Sequence, residues 1–176
     1  PGGTTGEGFL LSLAERRALA EAVVAAAGGR VPVIVQSGCI TTAETIALTE
    51  HAQSIGADGA AIIPPYVYHH TDTALLDHYA AVAQRVPDLP LLLYNFPAIS
   101  NNTLTPALVL ALRERASNIV GMKDSSGSLE MLARLKAATG GAFLAFNGGD
   151  GQVLASAAMG LDGCVSGNGN VVPELM

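Results

Sequence analysis

The stretch IVGMKDSSG, residues 119–127, opens as a short apolar run and sets a lysine where that run ends. A run of this length, closed by turn residues, suits a buried strand. Ser125, Ser126 and Gly127 read as a loop, and 129–138 reads as a helix stopped by Gly140 and Gly141. The unit is therefore one strand, one loop and one helix, with its polar residues gathered at the strand's C-terminal end.

The same unit recurs on both sides. Strands are expected at 31–36, 60–63, 91–94, 119–122, 142–146 and 163–165. Helices are expected at 13–27, 42–55, 72–85, 106–115, 129–138 and 152–159. Ser12 with Glu15 makes a capping box, and Pro106 follows Thr105 as a first-turn proline. Six β-then-α steps pass without a linker or a low-complexity tract, which leaves a doubly wound sheet or a β/α barrel. Polar residues stand at nearly every strand end: Ser37, Tyr66, Tyr94, Asn95, Lys123, Asp124, Asn147, Asp150, Ser166 and Asn168. A doubly wound sheet concentrates its site at one switch point, whereas a barrel draws it from many strand ends. With no G-x-G-x-x-G after a strand, the barrel is the expected fold. Six strands do not close an eight-stranded barrel of about 250 residues. The expectation is one partial β/α-barrel domain over 1–176, strands three to eight of a (β/α)8 TIM barrel. Its first two strands and its C-terminal helices would lie outside this sequence.

Lys123 is the residue out of place. The sequence holds only two lysines, and the other, Lys136, sits among polar neighbours in a helical pattern. An amine held against apolar walls loses hydration of its charged form and becomes available as a nucleophile. The plainer reading is a lysine that snorkels to solvent or pairs with Asp124. The opening PGGTTGEG, residues 1–8, is a glycine-rich loop with the hydroxyls of Thr4 and Thr5. Such loops can hold an anion on their backbone N–H groups, or can be simple turns.

Composition excludes several classes. With 49% hydrophobic residues, 5% aromatics and no Trp, the core is built from Ala, Val, Leu and Ile. A net charge of −6 without a basic run argues against nucleic acid. No apolar run reaches the roughly 20 residues that span a bilayer. No secretory leader is legible either, so a cytoplasmic protein is expected. Cys39 and Cys164 read as small buried hydrophobes, and no metal-ligand spacing occurs.

Three motifs, GTTGE at 3–7, YNFP at 94–97 and GMKD at 121–124, resemble the dihydrodipicolinate synthase and N-acetylneuraminate lyase family. The resemblance runs over essentially the whole chain. It implies a class I aldolase in which Lys123 forms a Schiff base with pyruvate or another 2-oxo acid. Tyr94 would shuttle protons, and Thr4 and Thr5 would hold the substrate carboxylate, one of them relaying a proton to Tyr94. The carbonyl of Val165 would face the 2-oxo acid. Asp150 would bind sugar hydroxyls unless it caps the next helix. No cofactor or metal is implied, the partners are a 2-oxo acid and an aldehyde, and the family suggests a homotetramer.

Two positions depart from the family's pattern. Ile99 stands where the synthases carry an arginine for the second substrate's carboxylate, a bidentate contact that an aliphatic side chain cannot make. Val67 stands where the family's second tyrosine would complete a relay across the subunit interface, leaving Tyr68 to supply it through a shifted loop or the relay absent. YNFPA followed by LTPAL looks most like the 2-keto-3-deoxygluconate-type aldolases, so cleavage of a keto-deoxy sugar acid to pyruvate and an aldehyde is the leading expectation. The alternatives are dihydrodipicolinate synthase, N-acetylneuraminate lyase or a keto-deoxy-acid dehydratase. In another class stands a 2-oxo-acid-binding barrel without turnover. A nucleotide binder is disfavoured by the missing glycine fingerprint.

Overall fold

The computed structural model describes residues 1–175. The chain alternates as α1 (Leu13–Ala27), β1 (Ile34–Gln36), α2 (Thr42–Ser54), β2 (Gly59–Ile62), α3 (Asp72–Arg85), β3 (Leu91–Asn95), the single turn α4 (Pro97–Ser100) and α5 (Pro106–Arg115). It continues as β4 (Ile119–Asp124), α6 (Leu129–Ala138), β5 (Leu144–Asn147), α7 (Val153–Ala158) and β6 (Gly163–Cys164). All strands pair in parallel, in the order β1-β2-β3-β4-β5-β6. A doubly wound sheet reverses its strand order at a switch point. Here the order never reverses, so the sheet winds one way as an open half-barrel. No helix among the described residues is long and apolar enough to cross a membrane.

The helices start where hydroxyls can cap them. Ser12, Thr41, Thr71, Thr105 and Ser128 each accept a backbone N–H from the first turn of α1, α2, α3, α5 and α6. Each such cap contributes about 1 kcal/mol and fixes the direction in which the chain leaves the preceding loop. The main core lies between the sheet and its helices. Ile62, Leu91, Leu93 and Met122 from the strands meet Leu75, Tyr79, Val82, Leu108, Leu112 and Leu132 from the helices, all buried. A smaller cluster of Ala20, Val33, Val35, Ala52 and Ala57 seats α1 and α2 against β1.

The expected helices 72–85, 106–115 and 129–138 coincide with α3, α5 and α6. Three differences have physical causes. The strand expected at 31–36 is only Ile34–Gln36, because the N–H of Val33 goes to the Asp58 carboxylate and Pro32 has none. The strand expected at 119–122 runs on to Asp124, since Tyr94 and Asn95 supply a ladder for two more residues. The helix expected at 152–159 is split into a 3-10 turn at Asp150–Gln152 and α7. The α4 turn was not expected at all. Its proline-led start is too short for any periodicity to show.

One buried group ties α2 to α3 and titrates. Nδ1 of His78 lies 2.9 Å from the Thr42 hydroxyl, while its Nε2 is buried with no partner among the described residues. Burial, with His70 nearby as a lesser cause, pushes His78 from its ordinary 6.5 down to about 4. The unfolded chain therefore takes up this proton first as pH falls. The stability carried by neutral His78 is complete above pH 6.5 and is lost between 6.5 and 4, on the order of 3 kcal/mol in all. Urea melts across that window should show the decline, and His78→Phe should flatten it. An unchanged slope in the variant would refute the assignment.

Candidate active site

The site is assembled at the C-terminal end of the sheet. In the β3–β4–β5 ladder, Tyr94, Lys123 and Phe146 are paired across one row, and Asn95, Asp124 and Asn147 across the next. Successive residues of a strand point to opposite faces. Lys123 and Tyr94 therefore share the inner face, and Asp124 points away from both, to the helix side. There its carboxylate accepts from Asn95 Nδ2 at 2.6 Å, from Ser126 N–H and Oγ, and from Ser128 N–H. Asp124 is thus occupied with the turn that starts α6, and the pairing with Lys123 that the sequence left open does not occur.

Lys123 is half-buried, and its Nζ lies 4.2 Å from the centroid of the Tyr94 ring. Tyr94 is almost wholly buried, and the Phe96 ring lies with its centroid 6.0 Å from that of Tyr94. Its hydroxyl lies 3.1 Å from Thr4 Oγ1. Lysine, tyrosine and threonine thus come from three separate parts of the chain into one cluster.

Thr4 is carried by a loop that glycines shape. The Gly2 backbone is left-handed, at φ 72°, and a Cβ on Gly8 would lie 2.0 Å from the Gly2 carbonyl oxygen. Only glycine permits that closure. The ring is held by Glu7 N–H to Thr4 O and Gly8 N–H to Gly3 O, and Pro1 O accepts from Gln36 N–H of β1. The N–H groups of Thr4 and Thr5 donate to nothing among the described residues, so both are free for an anion.

The remaining candidates fall at different distances. Val165 follows β6, and its N–H bonds Asn147 O. Asp150 does not cap the next helix; its Oδ2 accepts from Asn168 N–H at 3.3 Å and its Oδ1 is buried without a partner. A Cβ on Gly167 would stand 3.5 Å from Thr5 Oγ1 and 3.9 Å from Asp150 Oδ2, so Thr5 and Asp150 flank the same glycine. Tyr68 is 69% exposed, and within the single chain its hydroxyl bonds nothing among the described residues. Cys39 is buried as expected, while Cys164 is half-buried. Burial and then Asp150 push the Cys164 thiol up, with Lys123 opposing, which makes it a poor nucleophile.

A family model for the dihydrodipicolinate synthetase family matches residues 1–176. The chain belongs to the dihydrodipicolinate synthetase family. Among relatives in that family, the 4-hydroxy-tetrahydrodipicolinate synthase of Brucella abortus biovar 1 (strain 9-941) is 37% identical over 175 residues, 99% of this chain and 59% of the relative. YagE, a prophage protein of the dihydrodipicolinic acid synthase family from E. coli K12 solved in complex with pyruvate, matches at TM-score 0.93 and 37% identity, over 99% of this chain and 59% of that one. A catalytic lysine mutant of the Ruminococcus gnavus sialic acid aldolase matches at TM-score 0.94 and 29% identity, over 99% of this chain and 57% of that one. The chain thus spans about 59% of the length of the curated relatives it matches. The family expected from the sequence stands. The Brucella relative bears the name of the synthase, the reaction the sequence reading placed behind the sugar-acid branch.

Two buried residues that tie loops of this chain together were missed. Asn102 is buried and joins two loops: its Nδ2 donates to Pro65 O and Tyr68 O, and its Oδ1 accepts from His70 N–H. The Arg16 guanidinium is buried without a carboxylate and donates to Gln36 O, Gln36 Oε1, Gly38 O and Cys39 Sγ. It braces the turn after β1 against α1. In sequence both look like ordinary surface residues, since nothing local shows which carbonyls will converge on them.

The loop that Asn102 holds is strained. Val67 is in the left-handed region at φ 79°, where a β-branched residue is a genuine outlier, and its side chain is 59% exposed. Such strain costs about 1–3 kcal/mol, and Val67 recovers little of it by burial. Val67→Gly should therefore raise stability by about 1 kcal/mol, read as a higher Tm in calorimetry. A lower Tm would mean that the valine side chain makes contacts worth more than the strain.

Proposed function

We propose that this chain carries strands three to eight of a (β/α)8 barrel and the catalytic face of a pyruvate-dependent, Schiff-base-forming carbon–carbon lyase. The observation that carries this reading is the Lys123–Tyr94–Thr4 cluster, with an amine against a tyrosine ring and that tyrosine's hydroxyl bonded to a threonine. The Lys123 amine attacks the C2 ketone of a 2-oxo acid and water leaves, giving a protonated Schiff base. Tyr94 gives its proton to the departing water, and in the cleavage direction the phenolate so formed takes the C4 hydroxyl proton as the C3–C4 bond breaks. The electron pair flows to the iminium nitrogen, the aldehyde departs and an enamine remains. Protonation at C3 and hydrolysis release pyruvate and free Lys123. Tyr94 exchanges its proton through Thr4. The free N–H groups of Thr4 and Thr5 take the substrate carboxylate and so fix the ketone against the amine. Val165 O faces the bound 2-oxo acid. Pyruvate in the YagE structure supports this class of substrate.

On the aldehyde side the reading is a keto-deoxy sugar acid. Ile99 is 42% exposed on α4 and offers no donor to a second carboxylate. The name of the Brucella relative favours a second reading, condensation of pyruvate with aspartate semialdehyde. The full-length protein should show the higher kcat/KM for cleaving a 2-keto-3-deoxy sugar acid. The opposite order would hand the assignment to the synthase.

Both readings require the Schiff base. Borohydride added to full-length protein with pyruvate should leave one reduced pyruvate per chain, on the peptide that holds Lys123 and not on Lys136. Lys123→Arg should abolish adduct and turnover, because a guanidinium stays protonated. Tyr94→Phe should lose roughly 10²–10⁴-fold in turnover while the adduct still forms slowly. Bound pyruvate with Lys123 unlabelled would end the lyase reading.

A further inference from the structure

Gly148, the residue after β5, has an ordinary backbone: its φ is not in the left-handed region that would call for glycine. What it lacks is room. A Cβ there would lie 2.2 Å from Ser125 Oγ, 2.9 Å from the Asp124 carbonyl oxygen and 2.9 Å from Cε of Lys123. The methylene stem of the lysine runs through the space a side chain at 148 would occupy. Gly148 cannot step back to make way, because its own N–H is bonded to Asp124 O at 2.8 Å. The next residue is clamped as well, with Gly149 N–H on Asn147 Oδ1 at 2.8 Å and Asn147 Nδ2 on Gly149 O at 2.7 Å.

We propose that Gly148 is a positioning residue, and that its missing side chain sets where the Lys123 amine stands. The Tyr94 ring lies by the amine end, its centroid 4.2 Å from Nζ, and the open space beside Gly148 is taken by the carbon that bears the amine. Between them the last bonds of the lysine have one place to go. A methyl at 148 must push Cε aside by about half an ångström to reach ordinary van der Waals contact, and the displacement grows towards Nζ. Misplacement on the order of 1 Å costs roughly 10²-fold in a reaction that depends on near-attack geometry. Asp124 O cannot yield, since it belongs to the β4 ladder, while Ser125 Oγ can rotate away. The catalytic half of this inference rests on the Schiff-base reading above; the spatial half does not.

The test separates those halves. All variants are made in full-length protein carrying Ser125→Ala, which removes the movable hydroxyl from the comparison. Gly148→Ala is then introduced beside Lys123 and, separately, beside Lys123→Ala. If the space belongs to the lysine stem, Gly148→Ala lowers Tm by several degrees more with Lys123 present than with alanine there. Equal losses in both backgrounds overturn the proposal, because the obstruction would then be Asp124 O alone. In the Lys123 background, borohydride trapping with pyruvate should be roughly 10- to 100-fold slower after Gly148→Ala while the melt stays cooperative. Trapping at the parent rate overturns the positioning role even if the Tm coupling is found. Should the Ser125→Ala parent and the wild type both fail to label, the Schiff-base reading falls instead, and the Tm comparison still decides whether Gly148 makes room for the lysine.

Discussion

The hydrogen bond between Asn95 Nδ2 and Asp124 Oδ1, 2.6 Å long and fully buried, locks the two strands that carry the Tyr94–Lys123 pair. A buried carboxylate must be met by donors, because leaving it unpaired costs several kcal/mol. Ser126 and Ser128 meet Asp124 Oδ2 from its own loop, but Oδ1 finds Asn95 only when β3 and β4 are in one register, and in that register Tyr94 and Lys123 are neighbours on the opposite face. A slip of one residue would turn every side chain of a strand over, placing the lysine in the helix layer and the aspartate in the site. Asn95 also ties β3 forward, since its Oδ1 accepts the N–H of Leu104 on the approach to α5. One polar pair behind the sheet thereby holds the reactive pair in front of it.

The alternation of strands and helices was legible because its signals are local: apolar runs of strand length, hydroxyl caps and terminal glycines. Lys123 and Tyr94 were legible for the same reason, each standing where an apolar run ends. Strand limits were less so. The ladder that carries β4 to Asp124 is supplied by β3, about thirty residues earlier, and no property of residues 119–124 announces it. Asp124 and Asn95 were both legible as polar residues at strand ends, whereas their bond to each other depends on register and was not. Asn102, Arg16 and Gly148 lay beyond sequence reading altogether. Each acts by meeting atoms from a distant segment, and for Gly148 the meeting is with the absence of a side chain.

On the proposed function, the loop of residues 2–8 is a cradle prepared before its guest arrives. Gly2 and Gly8 approach so closely that the loop is a closed ring, and two internal hydrogen bonds stiffen it. The free N–H groups of Thr4 and Thr5 are therefore already oriented. Little conformational entropy remains to be lost when an anion settles on them. The loop joining β2 to α3 differs in kind. It holds a valine in a conformation that valine resists, and keeps it there through the bonds that Asn102 makes.

The unbroken order of the sheet has a consequence for how the molecule comes into being. Each strand pairs with the one made just before it, so no strand has to wait for a distant segment in order to find its place. Contacts close in sequence cost the least loop-closure entropy, and a chain built this way can add strand to strand as it leaves the ribosome. On that schedule Tyr94 is laid down first, against β2. The lysine then arrives beside it as β4 docks, before β5 and β6 have joined the sheet.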